Sequence, residues 1–233
     1  MHKLGWLFSL GVLLMLASCG DDEEPSTAPD GFNTTDEAAV RAILDANGLT
    51  EVRVNQVARY ELIGGEYRYV ELGLVNEEGY FGENAGVVID TIPPEIGYLT
   101  RLTRLRFSHM QVRSLPPQIG QLQSLTTLLA TGNQLTSLPV ELFSIPTLQI
   151  LRVDSNQITV LPSEVGNATS LQNLRVASNE LTQLPSTLMS LTNLSNFDFD
   201  DNRICTMEPA MVSWIHQFGV GTDWVTATHQ RCP

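Results

Sequence analysis

The chain has 233 residues, of which 42% are hydrophobic and 17% are charged, so it can bury a core and is unlike a disordered polymer. Its formal net charge of -13 repels nucleic acid phosphates and anionic lipid headgroups. We therefore expect no nucleic acid among its partners.

Residues 1–18 have the order of features of an export signal. Lys3 precedes an apolar run that is too short for a stable membrane-spanning helix. The run ends in Leu-Ala-Ser-Cys, residues 16–19, which resembles the lipobox of bacterial lipoproteins. This resemblance implies cleavage before Cys19 and attachment of a lipid anchor to its thiol. The alternative is an ordinary signal peptide with an incidental cysteine.

Residues 19–33 predict a flexible acidic tether, because they contain almost no apolar side chains. The acidic run Asp21–Glu24 is either a solvated spacer or a sorting signal, since it resembles the surface-export signals of some Bacteroidetes lipoproteins. Gly20 follows Cys19 where retention in the inner membrane is associated with Asp. We expect a lipid-anchored protein of the cell envelope, on the outer membrane of a Gram-negative bacterium, with surface exposure left open.

Residues 34–91 predict an N-terminal cap made of a helix and a β-hairpin. Thr34 and Glu37 have the spacing of a capping box, and Gly48 suits the end of the helix. A later stretch rich in Val, Tyr and Leu is interrupted by two glycines, which indicate a hairpin turn. The glycines are Gly64 and Gly65.

The second hairpin strand has apolar residues at alternating positions, and we expect it to pair with the strand that follows the cap. These residues are Val70, Leu72 and Leu74. An irregular loop is predicted over residues 76–86.

Residues 92–204 contain five copies of one unit, such as LPPQIGQLQSL, at a constant spacing of 23 residues. Such self-similarity is typical of a solenoid, in which each unit buries its apolar residues only by stacking on its neighbours. The copies begin at Ile92, Leu115, Leu138, Leu161 and Leu184.

The pattern resembles the leucine-rich repeat family, in the 23-residue type that carries LPxxIGxL on its outer side. The resemblance implies an α/β fold, a leucine-rich-repeat solenoid with a curved parallel β-sheet on the concave side and a short helical or irregular convex side. Apolar residues two apart agree with one face of a strand. The two columns with this spacing are Leu105, Leu128, Leu151, Leu174, Phe197 and Phe107, Ala130, Val153, Val176, Phe199; a further column is Leu102, Leu125, Leu148, Leu171, Leu194.

One polar column is expected inside the solenoid, where its amides would bond the turning backbone. Met110 takes the place of asparagine in the first copy, which suggests a loosened turn there. The column is Asn133, Asn156, Asn179 and Asn202.

The residues that alternate with the core positions are expected on the concave face. Two interpretations stay open: arginines and aspartates on neighbouring strands neutralise one another, or the surface recognises a protein or peptide through arginines that bind carboxylate, sulfate or phosphate groups. The face has few aromatic residues, which makes sugar binding less expected. The candidate ligand-binding residues are Arg104, Arg106, His109, Leu129, Ile150, Arg152, Asp154, Arg175, Asp198, Asp200 and Asp201.

Residues 205–233 predict a C-terminal cap with a helix that begins near Pro209 and ends at Gly219. The segment resembles the C-terminal caps of extracellular leucine-rich repeat proteins. That resemblance implies a disulfide bond between Cys205 and Cys232. A two-thiol metal site is the competing interpretation, and it lacks further soft ligands nearby.

No catalytic motif is present: the sequence has no HExxH, GxSxG, CxxC or phosphate-binding glycine loop. Residues 198–202 resemble the start of a calcium loop, but Arg203 and Pro209 replace its glycine and its last glutamate. We predict a monomeric, non-catalytic module without metal or cofactor that binds a protein or peptide on the concave face. The alternatives are a glycan-capture accessory lipoprotein of an outer-membrane uptake system and a structural envelope protein.

Overall fold

The structure is a computed structural model that describes residues 33–73, 88–219 and 230–232. The predicted signal peptide, Cys19, the loop over 76–86 and nearly all of the tether lie outside these residues. Within the described part, seven strands form one sheet in sequence order. The strands are β1 Ala58–Ile63, β2 Glu66–Gly73, β3 Arg104–Arg106, β4 Thr127–Leu129, β5 Ile150–Arg152, β6 Asn173–Arg175 and β7 Asn196–Asp198.

The first two strands are antiparallel, and every later pair from β2 to β7 is parallel. The middle residue of each short strand points into the core, where Leu105 and Leu128 are 0% exposed. Because this pairing repeats without slippage, one buried column runs under the whole sheet. The predicted α/β solenoid is confirmed.

A short 3-10 helix follows a proline in each repeat and forms the convex side. Proline suits this bend because it has no N–H to donate to a ladder. The copies approach closely there: a Cβ on Gly120 would lie 2.8 Å from the carbonyl oxygen of Glu141. The 3-10 helices are Pro94–Tyr98, Pro117–Gln121, Val140–Ser144, Ser163–Asn167 and Ser186–Ser190.

The N-terminal helix α1 spans Thr34–Ala46, and its cap is Asn33 rather than the predicted Thr34. The side chain of Asn33 accepts a hydrogen bond from the Asp36 amide at 3.0 Å. Thr34 is already helical, so the prediction that it caps the helix together with Glu37 is wrong, and the N-cap lies one residue earlier. Gly48 follows the helix with φ +69, as expected for a residue that ends a helix.

A buried ion pair ties α1 to β2. The Asp36 side chain is fully buried and accepts hydrogen bonds from Arg68 Nε at 2.8 Å and from Arg68 Nη2 at 2.9 Å. It also accepts one from the Tyr69 amide at 3.1 Å. The hydrogen bond to Asp36 raises the pKa of the Arg68 guanidinium, with burial acting in the opposite direction.

The predicted hairpin is confirmed between β1 and β2, with Gly64 and Gly65 at φ +64 and +89 in the turn. These positive values are those a type I′ turn requires at both central positions. Leu72 of β2 then pairs with Leu105 of β3, as the alternation predicted. The hairpin thus continues the sheet of the repeats.

The C-terminal end of the sheet is covered by helix α2, Pro209–Ile215, which continues as a 3-10 turn and ends at Gly219 with φ +82. The ring of Phe197 on β7 lies 5.7 Å from the ring of Trp214 and 5.8 Å from that of Phe218. The exposed end of the last repeat is therefore closed by aromatic packing.

The disulfide between Cys205 and Cys232 is present, with the two Cα atoms 5.5 Å apart. It closes a loop with a sequence separation of 27 residues. The competing two-thiol metal site is therefore wrong.

Replacing both Cys205 and Cys232 by serine should lower the free energy of unfolding by about 3.5 kcal/mol, because the unfolded chain regains the entropy of an open loop. Urea denaturation followed by circular dichroism would measure this loss. A reductant should lower the parent protein to the same level and leave the double variant unchanged. A loss below about 1 kcal/mol would contradict the chain-entropy estimate.

In the described part of the chain, no helix is both long enough and apolar enough to cross a membrane.

Candidate functional site

The asparagine column holds the turn that follows each strand. Asn179 is 0% exposed; its Nδ2 donates to the carbonyl oxygens of Val153, Val176 and Ala177, and its Oδ1 accepts from the Ile158 amide at 3.0 Å. The same pattern recurs at the other asparagines of the column. The prediction of buried amides bonded to the backbone is confirmed.

The loosened turn expected beside Met110 is absent. His109 has φ 57, close to the value of 54 at Ser155 in a later turn. The backbone N–H of Gln111 donates to the Ile89 carbonyl oxygen at 2.9 Å. The backbone N–H of Gln134 donates to the Val112 carbonyl oxygen in the same way in the next turn. Met110 is buried and fills the place of the amide, so the first turn keeps the geometry of the others.

The concave face carries two rows of side chains, one from the first residue and one from the third residue of each short strand. On β3 to β7 these positions are exposed or partly exposed, whereas the residues between them are buried; in register with them on β2, Glu71 is partly exposed and Gly73 is buried. The predicted alternation is therefore correct. In register, the first row is Glu71, Arg104, Thr127, Ile150, Asn173, Asn196, and the second is Gly73, Arg106, Leu129, Arg152, Arg175, Asp198.

Arg175 is neutralised on both sides. Its Nε lies 3.0 Å from Asp154 Oδ1, and its Nη2 lies 3.0 Å from Asp198 Oδ2. The hydrogen bond to Asp154 raises the pKa of Arg175. For these three residues the structure therefore agrees with the first of the two interpretations, in which arginines and aspartates on neighbouring strands neutralise one another.

The ends of the concave face are also paired. At the N-terminal end, Arg104 Nε lies 3.5 Å from Glu71 Oε1. At the other end, Arg231 Nε lies 3.1 Å from Asp201 Oδ1. The role of Arg231 was not foreseen, because it comes from the cap, outside the repeating pattern.

Two arginines of the second row differ from the rest. Arg106 and Arg152 have no ion-pair or hydrogen-bond partner for their side chains in the described residues. Leu129 lies between them in register and is partly exposed. We call these three residues the Arg106–Leu129–Arg152 patch. Ile150, in the neighbouring row, is also partly exposed and widens its apolar centre.

Two other predicted residues, His109 and Asp200, lie towards opposite ends of the face. His109 is exposed at the end of the first turn and sits over Gly132, where a Cβ would come within 2.6 Å of His109 Nδ1. Asp200 is partly exposed beside β7, and its amide donates to Asp198 Oδ1 at 3.3 Å. Together these side chains place cationic and apolar groups at the N-terminal half of the face and mostly paired charges at the other half.

Two buried side-chain oxygens have no hydrogen-bond partner in the described part of the protein, Asn173 Oδ1 in the first row and Gln118 Oε1 on the convex side. Gln118 also lines an open convex groove of about 370 Å³ together with Glu141 and Ser144. Across the described residues, no group of His, Cys, Asp and Glu could hold a metal ion.

A family model described as "Leucine-rich repeat region" matches residues 90–218, more than half of the chain. The chain therefore belongs to the leucine-rich repeat family. Proteins built this way use extended concave surfaces for binding.

Solved structures agree with this fold. An LRR protein of Leptospira interrogans is 29% identical with a TM-score of 0.51; the match covers 56% of this chain and 32% of that one. The ectodomain of the receptor kinase SOBIR1 from Arabidopsis thaliana is 26% identical with a TM-score of 0.62, over 76% of this chain and 96% of that one.

A plant ice-binding protein shares the fold at 20% identity and a TM-score of 0.54, over 75% of this chain and 65% of that one. The matched part of the chain spans about a third of the length of the Leptospira protein. No curated protein sequence matches it.

Proposed function

We propose that the protein is a monomeric, non-catalytic module that binds a protein or peptide ligand on its concave face. The observation that carries this proposal is the contrast between the two sides of the sheet. The buried column repeats from strand to strand, whereas the two concave rows differ at almost every strand. A rigid support with varied, accessible side chains suits recognition of one extended surface.

The chemistry of the face favours a protein ligand over a sugar. Neither concave row contains a Trp, Tyr or Phe, and sugar rings are commonly held by stacking on such residues. Partly exposed Leu129 and Ile150 offer contacts for apolar side chains instead. The face also lacks a catalytic constellation in its two rows, which supports binding as its role.

The proposal includes the place of the module in the cell. The lipobox at residues 16–19 and the acidic stretch after it support a lipid on Cys19, with the module held on the outer membrane of a Gram-negative bacterium. The net charge of -13 supports the absence of nucleic acid among its ligands.

A site-directed block tests the concave location. In the chain carrying Cys19→Ser, a single new cysteine is introduced at Thr127 on β4 or at Val160, which is 50% exposed and lies outside the strands. Each cysteine is labelled with a polyethylene glycol maleimide, and ligands selected from a random peptide display library are tested for binding by biolayer interferometry.

We expect the label at position 127 to abolish binding of the selected peptides and the label at position 160 to leave it within about twofold. The steric block acts only where the ligand would lie, and both variants carry the same modification. Binding that survives the label at 127 would place the site elsewhere and contradict the proposal, whatever the label at 160 does.

A further inference from the structure

We infer that the ligand presents an acidic protein segment, in which two carboxylates flank an apolar side chain, to the Arg106–Leu129–Arg152 patch. This inference rests on the proposed function and names the chemistry that its site selects. It starts from the difference between the arginines of the concave face. Arg104 and Arg175 already have carboxylates beside them, whereas Arg106 and Arg152 have none among the described residues.

Arginines without a partner in the part of the chain that the structure describes are unexpected in so acidic a protein. The protein has 26 acidic residues and 13 basic ones, so a carboxylate is more readily available as a neighbour than a cation. On the adjacent strands, however, the positions beside Arg106 are Gly73 and Leu129. The patch therefore keeps its positive charge locally, and a partner can supply the missing carboxylates.

Screening by salt decides whether a ligand at the patch feels the net negative charge of the chain or the positive charge of the two arginines. The Debye length is about 8 Å at physiological ionic strength, so most of the negative charge of the chain is screened at the distance of the patch. At contact distance, the two guanidinium groups dominate. The overall negative charge would slow the approach of an acidic ligand more than it would weaken the final contact.

The register gives the spacing of the ligand groups. Neighbouring strands lie about 4.8 Å apart, so Arg106 and Arg152 start roughly 10 Å from each other with Leu129 between them. An extended peptide rises about 3.3 Å per residue, which places side chains four residues apart at roughly 13 Å. The long arginine side chains can take up this difference, while an apolar side chain midway between the carboxylates meets Leu129.

The apolar centre distinguishes a protein segment from other anions. Each guanidinium can bind a carboxylate through two parallel hydrogen bonds. A sulfated sugar or an inorganic anion could satisfy the arginines but would leave Leu129 and Ile150 exposed to water. Since both requirements lie within three neighbouring strands, the surface fits an extended peptide with an acidic residue two positions before and two positions after an apolar residue.

The composition of selected peptides tests the inference. Peptides are selected from the random library against the Cys19→Ser chain, against Arg106→Glu/Arg152→Glu in that chain, and against the control Arg101→Glu, whose change in charge equals that of the single variant Arg152→Glu. Arg101 is exposed and lies outside the strands, so its reversal changes the net charge without touching the patch. Circular dichroism checks that each variant keeps the parent spectrum.

We expect the parent chain and the Arg101→Glu control to select peptides with Asp or Glu two positions before and two positions after an apolar residue. The double variant should lose these peptides and select basic ones. For one selected peptide, Arg152→Glu should raise the Kd by roughly 10-fold or more, since hydrogen bonds to charged groups contribute about 1.5–3 kcal/mol. Arg101→Glu should change it by less than about twofold.

Two results would overturn the inference, and they differ in what else they affect. Selected peptides that the label at position 127 blocks, but that show no acidic enrichment, would refute the acidic ligand and leave the concave binding site standing. Selected peptides that the label does not block would refute both proposals together.

Discussion

Replacing Asp36 by alanine should lower the free energy of unfolding by about 3–5 kcal/mol, which is the cost of leaving a buried partner charge without compensation. The Asp36 side chain has no solvent exposure, and Arg68 keeps 18% of its own. Without the carboxylate, the guanidinium loses two hydrogen bonds and the Tyr69 amide loses its acceptor. Urea denaturation monitored by circular dichroism gives the difference from the parent chain.

Asp45→Ala is the matched control, because it removes an aspartate from the same helix. Its ion pair with Arg41 is on the surface, and the Asp45 side chain is 52% exposed. Arg41 also donates to the carbonyl oxygens of Leu49 and Val52, so it stays bound without Asp45. We expect a loss of about 0.5 kcal/mol, typical of exposed pairs on helices. Equal losses for the two variants would show that burial of the Asp36 pair does not matter.

The second large effect is expected for Asn179→Ala, at about 4–6 kcal/mol. The Ile158 amide would lose its acceptor in a buried site, which costs about 1–3 kcal/mol, and three carbonyl oxygens would lose a donor at about 1 kcal/mol each. The amide belongs to two consecutive turns, since it donates to Val153 in one copy and to Val176 in the next. Its loss therefore weakens the stacking of repeats as well as a single turn.

Thermal and urea unfolding of Asn193→Ala provide the comparison. Asn193 is exposed and donates one hydrogen bond, to the Thr169 carbonyl at 2.8 Å. Water can replace that bond, so the expected loss is below about 1 kcal/mol. If Asn179→Ala were no more costly than Asn193→Ala, the buried asparagine column would not be a principal support of the solenoid.

Much of the fold could be predicted from the sequence because the repeat determines it several times over. A constant spacing places every leucine of one column on the same strand position, so strand register follows from the alignment of the copies. The asparagine column is predictable for the same reason. Met110 shows the limit: its departure from the pattern suggested a loosened turn, yet the neighbouring backbone holds the turn unchanged.

The features that the sequence did not reveal lie where no repeat exists. Asp36 and Arg68 are 32 residues apart and belong to two elements of the cap, so no spacing rule connects them. The helix cap shifted by one residue because Asn33 and Thr34 are both suitable capping residues, and tertiary contacts decide between them. The backbone N–H of Asn33 also donates to the Tyr67 carbonyl oxygen, and this bond fixes Asn33 outside the helix.

The candidate site was only partly predictable. The strand positions of its residues follow from the repeat, but the partners of each arginine depend on side-chain geometry. Arg152 and Arg175 have equivalent positions on neighbouring strands, and only Arg175 reaches Asp154 and Asp198. The lipid on Cys19 and the membrane location stay predictions.

The pairing of β2 with β3 follows the same register as the pairing between repeats: Leu72 meets Leu105 as Leu105 meets Leu128. The cap therefore presents to the first repeat the same kind of ladder that each repeat presents to the next. Duplication or deletion of one internal unit would preserve both junctions. The length of the concave sheet can thus change in steps of one strand, while the two caps stay as they are.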